Sequence, residues 1–236
     1  MAVPALPFFD SDSHVRAGTV IPDDHQQSAM GVLENKARAR TFYRYLSTVY
    51  DRVNPFIWTE EMRDEAVGML DIDRDDRVLD VGCGTGFATA ALARESDDVH
   101  GVDQSPHQLA RAFEKFGRRG PVRFSLGDAE RLPFADDSFD VVWSSGSIEY
   151  WPAPVETLRE LRRVAAPGGQ VLVVGPDSPD GPIRRRIAGA IMLFYDETEA
   201  DRMFEAAGFD RFEHRIQRAT DRSPPAITTL AAVPGS

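Results

Sequence analysis

The sequence predicts an α/β domain with a mostly parallel β-sheet and helices on both faces, and three observations support this prediction. Short apolar segments of strand length alternate with segments of helical period along residues 76–236. A turn rich in glycine follows the first strand, and an aspartate ends the second. Strands that alternate with helices in this way are typical of βαβ units. The length of 236 residues fits one domain of ordinary size.

The strands are indicated by short runs of aliphatic residues, and the helices by caps and apolar periodicity. Strands are predicted over residues 77–81, 99–102, 122–126, 139–144, 170–174, 211–217 and 227–232. Helices are predicted over residues 60–70, 87–94, 106–116, 155–164 and 198–207. Thr59 is expected to cap the first helix. In the third helix, Ser105 can be the N-cap, Pro106 lies at the first position, and Gln108 would complete a capping box.

The first part of the chain differs in composition from the rest. Residues 1–29 mix proline, serine, histidine and aspartate without periodicity, which predicts a disordered N-terminal extension. Met30 is then a candidate for the true start. Residues 30–236 are expected to form a single domain, in which residues 30–75 would be a helical cap and residues 76–236 the α/β core.

Composition excludes several classes of function. Acidic residues outnumber basic residues by 38 to 27, for a net charge of −11, whereas a nucleic-acid-binding surface needs basic groups to neutralise phosphates. Cys83 is the only cysteine, so neither an internal disulfide nor a multi-cysteine metal site is expected, and a cytoplasmic location is favoured. No apolar run approaches the ~20 residues that a membrane-spanning helix needs.

Three loops at the carboxyl ends of successive strands carry the predicted chemistry. They read Asp80-Val81-Gly82-Cys83-Gly84-Thr85-Gly86 after the first strand, Asp103-Gln104 after the second and Gly127-Asp128-Ala129 after the third. In a parallel sheet, ligands bind outside the carboxyl ends of the strands where the strand order reverses. Alternating glycines allow the backbone to approach a ligand closely. The Asp103 carboxylate can accept hydrogen bonds from two ribose hydroxyls, which predicts a nucleoside-containing cofactor.

The spacing of the glycines distinguishes between two classes of nucleoside-containing cofactor. Counted from Gly82, the dinucleotide fingerprint G-x-G-x-x-G would end at Phe87, where a phenylalanine would disturb the packing of helix on strand. The pattern Asp-x-Gly-x-Gly-x-Gly instead resembles the first motif of S-adenosylmethionine-dependent methyltransferases. The run Gly127-Asp128-Ala129 resembles the motif that holds the adenine amino group. A nicotinamide-dependent dehydrogenase and a non-catalytic nucleoside-binding module remain as alternatives.

This resemblance implies the Rossmann-like fold of the class I methyltransferases, with a mostly parallel seven-stranded sheet and a C-terminal antiparallel strand. It also implies S-adenosylmethionine as the cofactor. The candidate residues for the cofactor in these loops are Asp80, Gly82, Gly84, Gly86, Asp103, Gln104, Asp128 and Ala129, and Tyr50 is a further candidate outside the loops.

Longer runs of the sequence resemble one particular family within the methyltransferases. They are FYRYLS at 42–47, VYD at 49–51, WTEEMRD at 58–64, DQSPHQLA at 103–110, GDAE at 127–130 and GSIEYWP at 146–152. Together they resemble the plastid methylphytylbenzoquinone/methylsolanesylbenzoquinone methyltransferases of tocopherol and plastoquinone synthesis. The resemblance extends over about residues 35–212. It implies methyl transfer to a ring carbon of a prenylated hydroquinone.

The chain departs from the plastid enzymes at both ends. It stops soon after the last predicted strand, where those enzymes carry a membrane-anchoring tail, and residues 1–28 are not rich in arginine and serine like a transit peptide. A menaquinone-type naphthoquinone is therefore as good a candidate substrate as a tocopherol precursor. Methylation of another small molecule at oxygen or nitrogen is the nearest alternative.

Glu149 and Tyr150, just beyond the fourth predicted strand, are the candidate catalytic residues. A hydroquinone becomes a good nucleophile when its hydroxyl loses or shares a proton, which favours a nearby acceptor. The alternative is that both residues shape the start of the next helix. Tyr43 and Trp58 are candidate contacts for the substrate and Tyr50 for the sulfonium, because aromatic faces stabilise cations and pack against flat rings. Ordinary core packing is the alternative for these aromatic residues.

Residues 182–195 form a basic amphipathic pattern. The apolar face would hold Ile183, Ile187, Ile191 and Phe194, while Arg184, Arg185 and Arg186 lie toward the other face. Such a helix could rest on an anionic membrane surface, where a prenylated quinone is found. The alternative is a helix that covers the sheet or the active site. The sequence therefore leaves two locations as candidates, the cytoplasm and a peripheral position at the inner face of the membrane.

Overall fold

The computed structural model describes residues 58–116, 122–178, 195–220 and 223–235. In these ranges the chain forms seven strands, β1 (Arg77–Val81), β2 (Asp98–Asp103), β3 (Val122–Leu126), β4 (Phe139–Ser145), β5 (Ala165–Pro176), β6 (Arg211–Gln217) and β7 (Ala226–Ala232). It also forms five α-helices, α1 (Glu60–Val67), α2 (Thr89–Glu95), α3 (Pro106–Phe116), α4 (Pro154–Val164) and α5 (Glu197–Ala207). A short 3-10 helix, Ile148–Tyr150, follows β4.

The strands form one sheet in the order β3-β2-β1-β4-β5-β7-β6. Strand β7 is antiparallel to both of its neighbours, and every other neighbouring pair is parallel. The predicted α/β class, with a mostly parallel seven-stranded sheet and an antiparallel C-terminal strand, is therefore confirmed. Because β1 lies between β2 and β4, the strand order reverses at β1, and a ligand is expected outside the carboxyl ends of these strands.

The predicted elements differ from the structure mainly at their ends. Thr59 caps α1 as predicted, since its Oγ1 accepts a hydrogen bond from Met62 N at 3.3 Å. Strand β5 extends beyond the predicted residues 170–174, because it pairs with β4 from Ala165 onward and with β7 as far as Pro176. Hydrogen bonds between backbones do not require an apolar pattern, so periodicity indicated only the buried part of this strand.

Two apolar clusters cover the two faces of the sheet. Leu79 and Val81 of β1 pack in one cluster with residues of α4 and α5. Val78 of the same strand packs in the other cluster with residues of α1 and α2. Neighbouring side chains of a strand point to opposite faces, so β1 is buried on both sides and its end is held firmly.

Helix α3 begins at Pro106 as predicted, but the predicted capping box is only half formed. Gln108 N donates to Ser105 Oγ at 3.4 Å, as expected. Ser105 N, however, donates to Asp103 Oδ1 at 2.7 Å, and Gln108 Oε1 is buried without a hydrogen-bond partner among the described residues. A carboxylate is a stronger acceptor than a side-chain amide, so Asp103 takes the place of Gln108 and ties α3 to the end of β2.

A second polar network joins α1 to the antiparallel part of the sheet. Gln217 Nε2 in β6 donates to Met62 O at 3.1 Å and to Glu65 Oε2 at 3.0 Å. Thr228 Oγ1 in β7 donates to Gln217 Oε1 at 2.6 Å. The buried Gln217 is therefore fully engaged, as buried polar side chains usually are.

Within the part of the chain that the structure describes, no helix is long and apolar enough to cross a bilayer. The amphipathic pattern at residues 182–195 lies outside the described residues, except for Tyr195.

Candidate active site

The glycine-rich loop after β1 is fixed to the end of β2. Gly82 N and Cys83 N both donate to Val102 O, at 2.8 and 3.1 Å. Gly84 has a φ of 54°, in the left-handed region that favours glycine. A Cβ on Gly84 would meet no atom of the described residues within 4 Å. The loop therefore presents open backbone at the carboxyl edge of the sheet, where a ligand can approach.

Asp103 connects this loop to helix α3. Its Oδ2 accepts a hydrogen bond from Gly84 N at 2.9 Å, and its Oδ1 accepts one from Ser105 N at 2.7 Å. Burial raises the pKa of Asp103, and the two backbone N–H groups oppose this effect because they stabilise the charged form. Two carboxylate oxygens have about four acceptor positions, so Asp103 can accept further hydrogen bonds from a ligand.

Asp80 lies beneath the loop. The carboxyl group is buried, and Thr89 Oγ1 at the start of α2 donates to its Oδ2 at 2.5 Å. Burial raises the pKa of Asp80 to about 7, against the opposing effect of the hydrogen bond from Thr89. Asp80 thus supports the loop from below in this structure, and its predicted contact with the cofactor stays a prediction.

The loop after β3 lies against the end of β2. Gly127 N donates to Asp103 O at 3.0 Å, and Asp128 Oδ1 accepts from Glu130 N at 3.2 Å. Gln104, Asp128 and Ala129 are half-buried. The structure therefore brings together the predicted cofactor residues of all three loops that it describes.

The 3-10 helix after β4 adjoins the glycine loop. A Cβ on Gly82 would lie only 2.6 Å from Ser147 Oγ, so this serine packs directly against the loop. Ser147 Oγ also accepts a hydrogen bond from Trp151 Nε1 at 3.0 Å. Two residues after Ser147, the Glu149 side chain is only 7% exposed, and its Oε2 has no hydrogen-bond partner among the described residues. Burial raises the pKa of Glu149 to about 7.

Two other predicted residues are within the described part of the chain. Tyr150 is buried, and its N–H donates to Ser147 O at 3.0 Å. Trp58 is buried in the apolar cluster that contains Met62 and other residues of α1 and α2. Its Nε1 has no partner among the described residues.

Tyr43 and Tyr50 lie outside the described residues, so their predicted contacts stay predictions. In the described ranges, no group of three or more histidine, cysteine, aspartate or glutamate side chains is arranged to hold a metal ion.

Tyr195, which the sequence indicated only as the end of the amphipathic pattern, has a buried polar group beside the 3-10 helix. Its side chain is 1% exposed, and its hydroxyl has no hydrogen-bond partner within the described ranges. The sequence does carry a signal, because Asp196 and Glu199 form the capping box of α5. The backbone of a residue directly before a helix N-cap has a defined position. No spacing rule predicts which groups its side chain contacts.

The sequence matches the methyltransferase-domain family over residues 79–173, which contain the three loops and the 3-10 helix. A demethylmenaquinone methyltransferase of Staphylococcus aureus is 31% identical over 166 residues, which are 68% of this chain and 69% of that protein. The chain belongs to the class I S-adenosylmethionine-dependent methyltransferases.

Within this class, the chain is similar to enzymes of prenylated hydroquinones, as the sequence runs predicted. The chloroplastic 2-methyl-6-phytyl-1,4-hydroquinone methyltransferase 2 of Oryza sativa subsp. japonica is 46% identical over 181 residues. These are 75% of this chain but 52% of that protein, so the chain spans about half the length of this relative. A phosphoethanolamine N-methyltransferase 2 of Haemonchus contortus, solved with S-adenosylhomocysteine, has the same fold, with a TM-score of 0.69 and 17% identity over 83% of this chain and 59% of that one.

The residues of the three loops fit S-adenosylmethionine. The Cβ direction of Gly84 is open, and the backbone there can lie against a ligand. Asp103 uses one hydrogen bond for each oxygen and retains acceptor capacity for two ribose hydroxyls. Gln104 and Asp128 line the same edge without being fully buried.

Proposed function

We propose that this protein methylates a ring carbon of a prenylated hydroquinone, with S-adenosylmethionine as the methyl donor. One observation carries the proposal. Glu149 is a buried carboxyl group with an oxygen that the described residues leave unpaired, and it lies two residues from the serine that packs on the glycine loop. A proton acceptor in this position suits an acceptor molecule whose hydroxyl must be activated. The names of the relatives support the hydroquinone class.

The proposed cofactor site uses the loops after β1, β2 and β3. The cofactor supplies a methyl group on a sulfonium, which is already electrophilic. Asp103 would accept hydrogen bonds from the ribose, while Asp80 keeps the loop in place through Thr89. The remaining contacts that we propose come from Gly82, Gly84, Gly86, Gln104, Asp128 and Ala129, and from Tyr50 beside the sulfonium.

Glu149 would act as the proton acceptor for the substrate. In its carboxylate form it accepts the proton of one hydroxyl, and the hydroxyl oxygen keeps the electron pair, so electron density rises at the ring carbons. The ring carbon that gains the methyl group loses its hydrogen as a proton, and the oxygen regains one. The complete reaction would therefore break the S–CH3 bond, leave S-adenosylhomocysteine as the second product and release one proton. Tyr150 would help to orient this hydroxyl, and Tyr43 and Trp58 would pack against the substrate.

Identification of the product tests the proposal and its nearest alternative. The protein is incubated with S-adenosylmethionine and soluble short-chain analogues of 2-methyl-6-phytyl-1,4-hydroquinone and of demethylmenaquinol. Mass spectrometry detects an added methyl group, and NMR shows whether carbon or oxygen carries it. A ring C-methyl product from either analogue supports the proposal and identifies the ring. An O-methyl product supports the alternative, and no product from either ring overturns the proposal. Titration with NADH is a control that should show no binding.

We further propose that the protein works at the cytoplasmic surface of an anionic membrane through residues 182–195. In the sequence, three isoleucines fall on one face of a helical pattern there, and three consecutive arginines lie toward the other face. Each basic residue near an anionic surface contributes about 1 kcal/mol, and salt screens the attraction. Binding to phosphatidylserine vesicles should therefore be salt-sensitive and should weaken in the triple variant Arg184→Gln, Arg185→Gln, Arg186→Gln. Turnover of the soluble analogue should be retained. Equal loss of both would mean that the segment covers the active site.

The domain organisation that we propose follows from the composition and apolar periodicity along the sequence. Residues 30–236 would form one domain, with a helical cap over residues 30–75, of which α1 is the described part. Residues 1–29 would be a disordered extension that contributes nothing to the site.

A further inference from the structure

Tyr195 is held firmly at the carboxyl end of β5. Its backbone pairs with that of Asp177, Ser178 N donates to Tyr195 O at 3.1 Å, and Tyr195 N lies 3.4 Å from Pro176 O. The next residue, Asp196, is the N-cap of α5. Backbone contacts therefore fix Tyr195 on both sides, and its side chain has a defined position over the sheet.

The Tyr195 hydroxyl lies over Gly175, beside the 3-10 helix. A Cβ on Gly175 would lie 2.6 Å from the Tyr195 hydroxyl and 2.4 Å from Ile148 Cγ2. Gly175 does not have a positive φ. Glycine is therefore needed here because a side chain would not fit, and not because of the backbone conformation. The hydroxyl and Ile148 thus meet above the same glycine, and Glu149 is the next residue along the chain.

The Tyr195 hydroxyl lies within electrostatic range of two carboxyl groups. Burial raises the pKa of Tyr195, and the negative charges of Glu149 and Asp177 raise it further. The phenol therefore stays protonated and can only act as a neutral donor or acceptor at ordinary pH. Because buried polar groups nearly always have partners, two unpaired ones, the first beside Ile148 and the second on the next residue, indicate a polar ligand atom at this end of the sheet.

We propose that Tyr195 and Glu149 bind the same hydroxyl group of the acceptor. Glu149 accepts the hydroxyl proton, and Tyr195 donates a hydrogen bond to the hydroxyl oxygen. As the proton moves to Glu149, negative charge develops on that oxygen, and the Tyr195 O–H stabilises it. Tyr195 is therefore a further substrate-binding residue, and this role rests on the proposed function.

The variant Tyr195→Phe removes only the hydroxyl. The melting temperature should stay equal or rise, because an unpaired buried group is removed. Affinity for S-adenosylmethionine should stay unchanged, while kcat/KM for the hydroquinone should fall by about tenfold or more, since a hydrogen bond to a developing charge is lost. Thr228→Val is the matched control. It also removes a buried hydroxyl, but one that has a partner in Gln217, so it should lower the melting temperature and leave kcat/KM unchanged.

A double-mutant cycle tests whether both residues act on one hydroxyl. If they do, Glu149→Gln with Tyr195→Phe should cost much less than the product of the two single losses in kcat/KM. Independent losses, or full activity of Tyr195→Phe, overturn the inference and leave the proposed function standing. Absence of methylation by the unaltered protein overturns both.

The unaltered protein offers a second test if Tyr195→Phe fails to fold. The two monomethyl ethers of a short-chain hydroquinone block one hydroxyl each. Blocking the hydroxyl that Glu149 and Tyr195 bind should abolish ring methylation, whereas blocking the other should be tolerated. Equal turnover of both ethers overturns the inference.

Discussion

The two sides of the carboxyl edge of the sheet differ in how their buried polar groups are satisfied. The cofactor side, as we propose it, consists of the loops after β1, β2 and β3, and the proposed acceptor side consists of the 3-10 helix and Tyr195. On the cofactor side, Asp80 accepts a hydrogen bond from Thr89, and Asp103 accepts two from backbone amides. On the acceptor side, Glu149 Oε2 and the Tyr195 hydroxyl have no partner within the described ranges.

We infer from this difference that the cofactor side is shaped before its ligand binds. The acceptor side, in contrast, needs its ligand to pair with its buried polar groups. A paired carboxylate fixes neighbouring loops, whereas an unpaired buried group costs roughly 1–3 kcal/mol until a ligand pairs with it. Removing a group from the cofactor side should therefore lower stability and binding together. Removing a group from the acceptor side should preserve or raise stability while it lowers turnover.

The largest effect is expected for Glu149→Gln, which removes the proton acceptor. A general base typically contributes about 10²–10⁴-fold to the rate, so kcat/KM should fall by about 100-fold or more. In the unaltered protein, kcat/KM should rise with pH through about 7, where Glu149 loses its proton. The variant should lose this rise. A variant that keeps both its activity and the same pH profile would remove Glu149 from the mechanism.

The stability of Glu149→Gln should rise, although its kcat/KM should fall. The folded protein binds the Glu149 proton more tightly than the unfolded chain does, because burial raises its pKa from 4.5 to about 7. This contribution to stability is complete below pH 4.5 and is lost as the pH rises through about 7. Glu149→Gln should therefore raise the melting temperature at about pH 8 and change it little at about pH 4. Glu156→Gln, at an exposed residue paired with Arg159, is the control and should change neither activity nor stability.

A smaller effect is expected for Asp103→Ala on the cofactor side. Calorimetry should show S-adenosylmethionine binding weakened by about tenfold or more, because the ribose loses a charged acceptor. The melting temperature should fall as well, since Gly84 N and Ser105 N lose their partner. Unchanged affinity in a folded variant would remove Asp103 from the cofactor site, and a rise in melting temperature would contradict the contrast between the two sides.

The smallest effect is expected for Gly84→Ala, for which the chain offers a matched control. Gly84 and Gly168 both have positive φ, and within the described part of the chain a Cβ on either would meet no atom within 4 Å. Alanine should therefore cost each position a similar 1–2 kcal/mol of stability, about the strain of a left-handed residue. Only Gly84→Ala should also weaken S-adenosylmethionine binding, because Gly168 lies at the opposite end of β5. Equal affinities in the two variants would show that the open side of Gly84 does not face the cofactor.

The sequence predicted the cofactor side better than the acceptor side, for a physical reason. Gly82, Gly84 and Asp103 lie within a few residues of strand ends, so local pattern and strand order place them together. The half-formed capping box at Ser105 was mispredicted because helix rules consider neighbours within the helix and not the carboxylate of Asp103 at the end of β2. Tyr195 was missed because its site depends on Gly175 and Ile148, which are remote in sequence.

The place of β7 in the sheet has a consequence for biosynthesis. All seven residues of β7 are buried, and the strand lies between β5 and β6 although it is made after both. A nascent chain that has not reached Ala226 therefore exposes the unpaired backbone edge of β5, and β6 lacks the neighbour with which it pairs. Open strand edges are templates for aggregation during translation. Strand β7, which is synthesised after β5 and β6, thus closes an edge of the sheet that stays open until it is made.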